Sequence, residues 1–487
     1  MPVLESLQPQ EVLRFFEILS DMPRGSENEK QAADWVVKFA QDRGLEAFQD
    51  DMHCVVVRKP GQGGLENAPG LILHGHLDMV CAKNEGVEID FLTEPIKLVV
   101  DGDFIHADGT SLGADNGIGV SYILALLDSK DLPHPPLEAV LTAMEEKGKV
   151  GAGQFDTSVL TGIRMIDFNW ITDNEILAGC SGDVTFLVTV PAEWEAVPSE
   201  LSATRSVKVR GLLGGHCEFD IHLERANAIL VLARALNAVL ANHDVRISGL
   251  CGGTQNSAIP ADAEAVLSIR PADVADVERT LAELAGTLHS EYQRAGDNIR
   301  LEVAEAPAPD RVFSAAAGAR FARLTALIPN GVLSWSLLTP GVVESSNNLG
   351  TLRPTDDGVT LASTITAQVT SRKHEILDRA RALAALAGGG VTVEQFGLDA
   401  PEFPYQENSI LLKTAADAYR DVIGAEPDIH VSQCSLELGL FSRKIPGLEI
   451  ISIGTELHAL HSPQESVNHT SVAKVWPLVR EVVSRLS

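Results

Sequence analysis

Cysteine is sparse in this chain and shows no organisation. Its six cysteines (Cys54, Cys81, Cys180, Cys217, Cys251 and Cys434) stand singly, with no Cys-x-x-Cys pair. That usage excludes a disulfide framework and suits a reducing cytosol, so a cytoplasmic protein is expected. Basic charge is also in short supply: 38 Lys and Arg stand against 67 Asp and Glu, for a net charge of −29. An acidic surface of that size repels phosphate backbones and excludes nucleic acid as a partner. The chain has no apolar run long enough for a transmembrane helix, which takes roughly 18 residues or more, so no membrane partner is expected. The first residues, MPVLESLQPQEVLRFFEIL, have no basic segment leading into an apolar one. They read as an amphipathic helix rather than a signal peptide. Internal repeats and low-complexity linkers are missing too.

What is present is an ordinary globular composition, 45% hydrophobic and 22% charged over 487 residues, enough for two or three domains. The first 185 residues alternate two patterns. ENEKQAADWVVKFAQD has helical spacing, and LILHGH (71–76) is an apolar run that predicts a buried strand. A helix opens at Asn116, and LEAVLTAMEE reads as a second buried strand ending in carboxylates. Such alternation predicts a mixed α/β sheet with helices on both faces and chemistry where the strands end. From about Val184 the pattern changes to alternating strands, VTFLVTVPA and TRSVKVRGL, and a long apolar helix, RANAILVLARALNAVLANH. After about Glu394 the first style returns, with the strand LEIISIG and a closing helix. The expected architecture is one α/β domain, residues 1–185 and 395–487, interrupted by an inserted α+β domain, residues 186–394.

Four short motifs can carry chemistry. His74-Gly75-His76-Leu77-Asp78 closes an apolar strand. Residues two apart on a strand share a side, so His76 can offer a ring nitrogen to a metal, and Asp78 beside it can fix the tautomer. Taken alone, such a pattern is more often a hydrogen-bonded histidine pair. Gly113-Ala114-Asp115-Asn116-Gly117 is a glycine-flanked turn before a helix. It lacks the Lys-Ser/Thr of a phosphate loop, and alone reads as a turn with a capping Asp. Glu145-Glu146 ends a strand apolar enough to be buried. Two adjacent carboxylates there are costly unless something positive neutralises them. Their opposite directions suit one ligand and one base. His461-Ser462-Pro463 follows the strand LEIISIG, with His458 nearby. Together, His, Asp, Glu and a distant His at strand mouths are the ligand types of a two-metal hydrolytic centre.

The segments HGHLDMVCAKN, IDFLTEPIKLVVDGDFIHADGTSLGADNGIG, EEKGKVGAGQF, GLLGGHCEFDIHLERANA, GVVESSNNLG and IPGLEIISIGTELHALHSP resemble, in order and along nearly the whole chain, the aminoacyl-histidine dipeptidases. These are cytosolic Xaa-His peptidases of the co-catalytic zinc group. The resemblance implies a mixed-sheet zinc-peptidase domain interrupted by a lid and dimerisation domain, and a homodimer acting on small peptides. It implies two divalent ions, zinc before manganese or cobalt. His76 would hold the first ion, Asp115 would bridge, and Glu146 and His461 would hold the second. Glu145 would be the general base, Asp78 the group that orients His76, and His216 a substrate-binding residue. It further implies a cis peptide bond between Asp115 and Asn116.

Four positions depart from that pattern. Asn169 stands where the family has an acidic ligand of the first metal, with Asp167 two residues earlier on the same strand face. Ser257 replaces an Asn before Ala-Ile-Pro, Gln433 replaces a His, and the basic-Ser-Ser stretch near the lid's end is shortened to QVTSRK. Metal-dependent dipeptide hydrolysis is the expected function. The alternatives are an amidohydrolase acting on another small N-acyl substrate, and a binding protein with an impaired metal site.

Overall fold

The computed structural model describes residues 2–337 and 339–487. The chain forms two compact units. The first comprises Met1–Cys180, Glu402–Ser432 and Leu436–Ser487, and the second comprises Ser181–Pro401 and Gln433–Ser435.

The first unit is built on four parallel neighbours, Leu137–Thr142, Leu71–His76, Arg164–Trp170 and Glu449–Gly454, in that spatial order. Val55–Lys59 and Glu46–Gln49 extend the sheet antiparallel beyond Leu137–Thr142. The strands Leu71–His76 and Leu137–Thr142 are buried at every residue. That explains why their sequences are largely apolar rather than alternating: parallel strands are covered on both faces. The helix Ala114–Asp128 is buried from Ala114 to Leu127, and the amphipathic helix Gln10–Ser20 packs against it within one core cluster. A small four-stranded sheet joins Leu98–Asp101, Phe104–Ala107, Ser466–Asn468 and Leu457–His458. Because the four central strands run parallel, their C-terminal ends share one edge of the sheet, where sites form in such folds.

In the second unit the sheet is antiparallel. Residues 182–191 pair with Gly358–Ala367. Val343–Pro354, Arg246–Gly252, Ala263–Ile269, Ala203–Arg210 and Arg300–Glu305 follow in order. Along Val184–Val190 every second residue is buried, the pattern of a sheet covered on one face. The helices Ala228–Leu240, Val274–Tyr292, Ala315–Leu327 and Thr370–Ala387 share its core. The α/β first unit and α+β second unit bear out the expected fold class. Among the described residues no helix is long and apolar enough to cross a membrane.

Candidate active site

His76 is the last residue of its strand and fully buried. Its Nε2 lies 3.0 Å from Asp115 Oδ1, and its Nδ1 lies 3.2 Å from the Asp78 carbonyl. Burial opposes charging this imidazole, but Asp115 and Asp78 raise its pKa well above the ordinary histidine value. Asp78 is buried just beyond the strand. Its Oδ1 stands 3.5 Å from His76 Nδ1 and accepts the Glu145 N–H at 3.0 Å, while Oδ2 accepts the Glu146 N–H at 3.1 Å. One carboxylate therefore orients the histidine and also seats the Glu145-Glu146 turn. Despite burial, its contact with His76 keeps the Asp78 pKa low.

The turn itself begins at Met144, whose φ of 54° is left-handed and uncommon for a side-chain-bearing residue. Glu29 steadies it by accepting the Met144 N–H at 3.0 Å. Burial raises the pKa of Glu146, whose Oε1 has no hydrogen bond, although His461 Nε2 lies 3.1 Å away. Desolvation, with Glu146 and Glu437 adding to it against the pull of His76, pushes the Glu145 carboxyl up to about 8. His461 also stands 3.3 Å from Asp115 Oδ2. Its hydrogen bond to Asp115 and its ion-pair contact with Glu146 outweigh partial burial and raise it to about 10. Asp115, buried between two histidines, is held far below the usual carboxylate range. The Asp115–Asn116 peptide bond is cis.

His76, Asp115 and Glu146 each present a ligand atom within 4.8 Å of the others, and His461 closes the group through the two carboxylates. Asn169 Oδ1 accepts a hydrogen bond from Asn116 Nδ2 at 2.7 Å, beside Asp115. Asp167 does not point its charge into this group. It is buried, lies 2.7 Å from His74 Nδ1, accepts from Ser452 Oγ, and accepts the Asn169 N–H at 3.1 Å. His216 belongs to the second unit, in a two-residue strand paired with Ala258–Ile259, its ring centroid 5.1 Å from that of Phe219.

Sequence reasoning missed four residues that hold this site: Arg24, Ser26, Glu29 and Glu465. Ser26 donates to Asp78 Oδ2 at 2.8 Å. Arg24 donates to the carbonyls of Leu77, Asp78 and Gly113. Glu465 accepts four successive backbone N–H groups, from Leu112 to Asp115. The one signal available was charge inside otherwise uneventful segments, PRGSENE and SPQESV.

Over its full 487 residues the chain is 32% identical to the cytosol non-specific dipeptidase of Escherichia coli K12, spanning 99% of that protein. Residues 207–295 match the M20 peptidase dimerisation domain. The chain belongs to the M20 peptidase family. This M20 peptidase superposes on the aminoacylhistidine dipeptidase of Vibrio alginolyticus with a TM-score of 0.87 at 30% identity, covering 99% of this chain and 98% of the other. It shares its fold with the aminopeptidase PepT of Bacillus cereus, at a TM-score of 0.56 and 15% identity, with 99% of each chain covered. The resemblance carried by the motifs thus holds along the whole chain, and the protein is a metal-dependent peptide hydrolase.

Proposed function

We propose that this M20 peptidase hydrolyses dipeptides, Xaa-His or related small peptides, at a pair of divalent metal ions, with zinc the working ion ahead of manganese or cobalt. The convergence of His76, Asp115 and Glu146 ligand atoms within 4.8 Å is the observation that carries the reading. The residues present fit such ions. Glu146 Oε1 is buried without a hydrogen bond, a cost that a cation at that atom removes. Asp78, Asp115, Glu145 and Glu146 bring four carboxylates to a cluster whose histidines are neutral when they act as ligands, and two divalent ions balance four negative charges.

His76 and Asn169 would hold one ion, Glu146 and His461 the other, with Asp115 shared. The chemistry supplied by bound divalent ions is polarisation of the scissile carbonyl and acidification of the attacking water. Glu145 takes the proton of that water on its carboxylate and returns it to the leaving amine. Its desolvated carboxyl favours holding the proton between those two steps. Asp78 keeps His76 in the tautomer whose Nε2 faces the cluster. The second unit, with the segment 207–295, serves as lid and dimerisation module of a cytoplasmic homodimer, and His216 binds substrate.

The test is to measure the metal content of the purified chain and its turnover on a panel of dipeptides and N-acyl amino acids. About two ions per chain and turnover confined to dipeptides are expected. Turnover confined to N-acyl amino acids would replace the reading with an amidohydrolase, and no turnover of either would leave a binding protein.

A further inference from the structure

Two buried charges frame the turn that presents Asp115. Arg24 and Glu465 are each 2% exposed. Burying a charge costs several kcal/mol unless its partners satisfy it, and both side chains are spent on backbone groups. Arg24 Nη1 donates to the carbonyls of Leu77 at 3.0 Å and Asp78 at 3.3 Å, the two residues after His76, while Nη2 donates to the Gly113 carbonyl. Glu465 approaches with its acceptors. Oε2 takes the N–H groups of Leu112 and Gly113, both at 2.9 Å, and Oε1 takes those of Ala114 at 2.8 Å and Asp115 at 3.2 Å. The local sequence is cut to fit. Gly113 has a φ of 72°, and a Cβ on Gly113 or Gly117 would lie 2.6 Å from Arg24 Nη2. Any side chain at either position would push the guanidinium away.

The guanidinium therefore bolts the end of the His76 strand to the start of the Asp115 turn. The carboxylate fixes that turn from its N–H side. Between them they set the spacing of His76 Nε2 and Asp115 Oδ1, which is 3.0 Å. We propose that Arg24 and Glu465 are positioning residues that set the divalent-ion affinity of the His76–Asp115 pair. The bland competitor is a helix cap: Glu465 satisfies unpaired N–H groups where the buried helix Ala114–Asp128 begins, and such caps stabilise folds without touching function.

Metal affinity separates the two. Loss of a group that orients metal ligands costs about 10–100-fold in affinity, whereas loss of a cap costs stability alone. The experiment titrates the metal-free full-length chain with zinc alone, by calorimetry against a competing chelator, and follows thermal unfolding of the same metal-free samples. Glu465→Gln should weaken the zinc-binding step at the His76–Asp115 pair about 10–100-fold. Arg24→Lys keeps the charge but cannot reach both sides of the bolt, so it should weaken binding too. It carries the test alone if Glu465→Gln does not fold. Glu138→Gln is the control. Glu138 is a buried carboxylate that likewise accepts backbone N–H groups, from Thr161 and Gly162, away from the cluster. Its loss should lower stability and leave the zinc Kd unchanged. Zinc Kd values within twofold of the parent's in both frame variants would overturn the proposal in favour of the cap. The inference rests on the metal-site reading above, and the two fail differently: a parent chain that takes up no zinc ends that reading, while a parent that binds and variants that bind equally end only this one.

Discussion

Two clusters of histidine and carboxylate lie two residues apart on the strand Leu71–His76, and they have opposite characters. Around His74 the groups close on themselves. Its Nδ1 is 2.7 Å from Asp167 and its Nε2 is 3.2 Å from Glu437. Thr142 donates to Glu437 at 2.6 Å, and Ser452 donates to Asp167. His74, Asp167 and Glu437 are each at most 3% exposed, with only Glu437 Oε1 left without a hydrogen bond. The imidazolium and its two carboxylates are shut away from solvent, with no open face for a ligand. Around His76 the carboxylates again outnumber the histidines, but here the side chain of His461 is 51% exposed. That cluster is open to solvent. The difference teaches that residue type and strand position do not separate a structural histidine from a ligand. Exposure to solvent and the convergence of ligand atoms on one another do.

The largest effect expected on the open cluster is chemical. Glu145→Gln removes the proposed proton acceptor while keeping the shape of the turn, since Asp78 holds the backbone N–H and not the side chain. Turnover should fall by about 10²–10⁴-fold, with metal content unchanged, as read by steady-state kinetics and elemental analysis. Activity retained within about tenfold would remove Glu145 from the role of base and erase half of the contrast.

On the closed cluster the expected effect is on folding. His74→Gln leaves Asp167 and Glu437 buried without a cation. Breaking a buried pair in this way costs about 3–5 kcal/mol, to be read from denaturant unfolding of the metal-free protein. Metal binding should survive in the folded fraction. If instead zinc binding collapses while stability holds, the two clusters are one functional unit and the comparison fails.

A smaller effect on the same cluster depends on pH. Burial opposes the charge on His74, but the hydrogen bonds to Asp167 and Glu437 prevail and raise it to about 9. A histidine whose folded pKa exceeds its unfolded value stabilises fully below the unfolded value, about 6.5, and the stabilisation is lost as pH rises through the folded one. The metal-free parent should therefore lose stability between about pH 6.5 and 9, and His74→Gln should flatten that slope. Equal slopes in parent and variant would mean that His74 is neutral when folded.

Much of this was legible in sequence, for a physical reason. Leu71–His76 and Leu137–Thr142 are covered on both faces, so their sequences are largely apolar and the polar residues at or just past their ends, His76 and Glu145-Glu146, stand out. His461, with a φ of 59°, was a candidate only for following an apolar strand, and the family resemblance gave it a role. Asp167 looked like a second ligand candidate because it shares a strand face with Asn169. Its pairing with His74 depends on the register of two strands far apart in sequence, in which these residues are direct neighbours. Arg24 and Glu465 were invisible because their partners are backbone atoms, which every residue carries. The short return of Gln433–Ser435 to the second unit has no compositional mark either.

The smallest and sharpest prediction concerns Asn169. The open cluster has an excess of carboxylates, yet at this position, where the resemblance implies an acid, the chain carries an amide. Its Oδ1 accepts from Asn116 Nδ2 at 2.7 Å, so it is anchored to the residue following Asp115. A carbonyl oxygen can coordinate but brings no charge, and Asp167 is spent on His74. On the proposed reading the ion beside His76 is then the weaker of the two. Calorimetric titration of the metal-free chain should resolve two steps, with the weaker ion the first removed by chelator. Asn169→Asp keeps the acceptor that Asn116 needs and adds a charge toward the ion. It should tighten the weaker step by about tenfold, a gain of about 1.4 kcal/mol, and raise turnover at limiting metal. The metal-free variant should unfold slightly more easily, because a further half-buried carboxylate joins an acidic cluster. Two equally tight steps in the parent, unmoved by the substitution, would show that the amide is no handicap and that the cluster's charge is balanced without it.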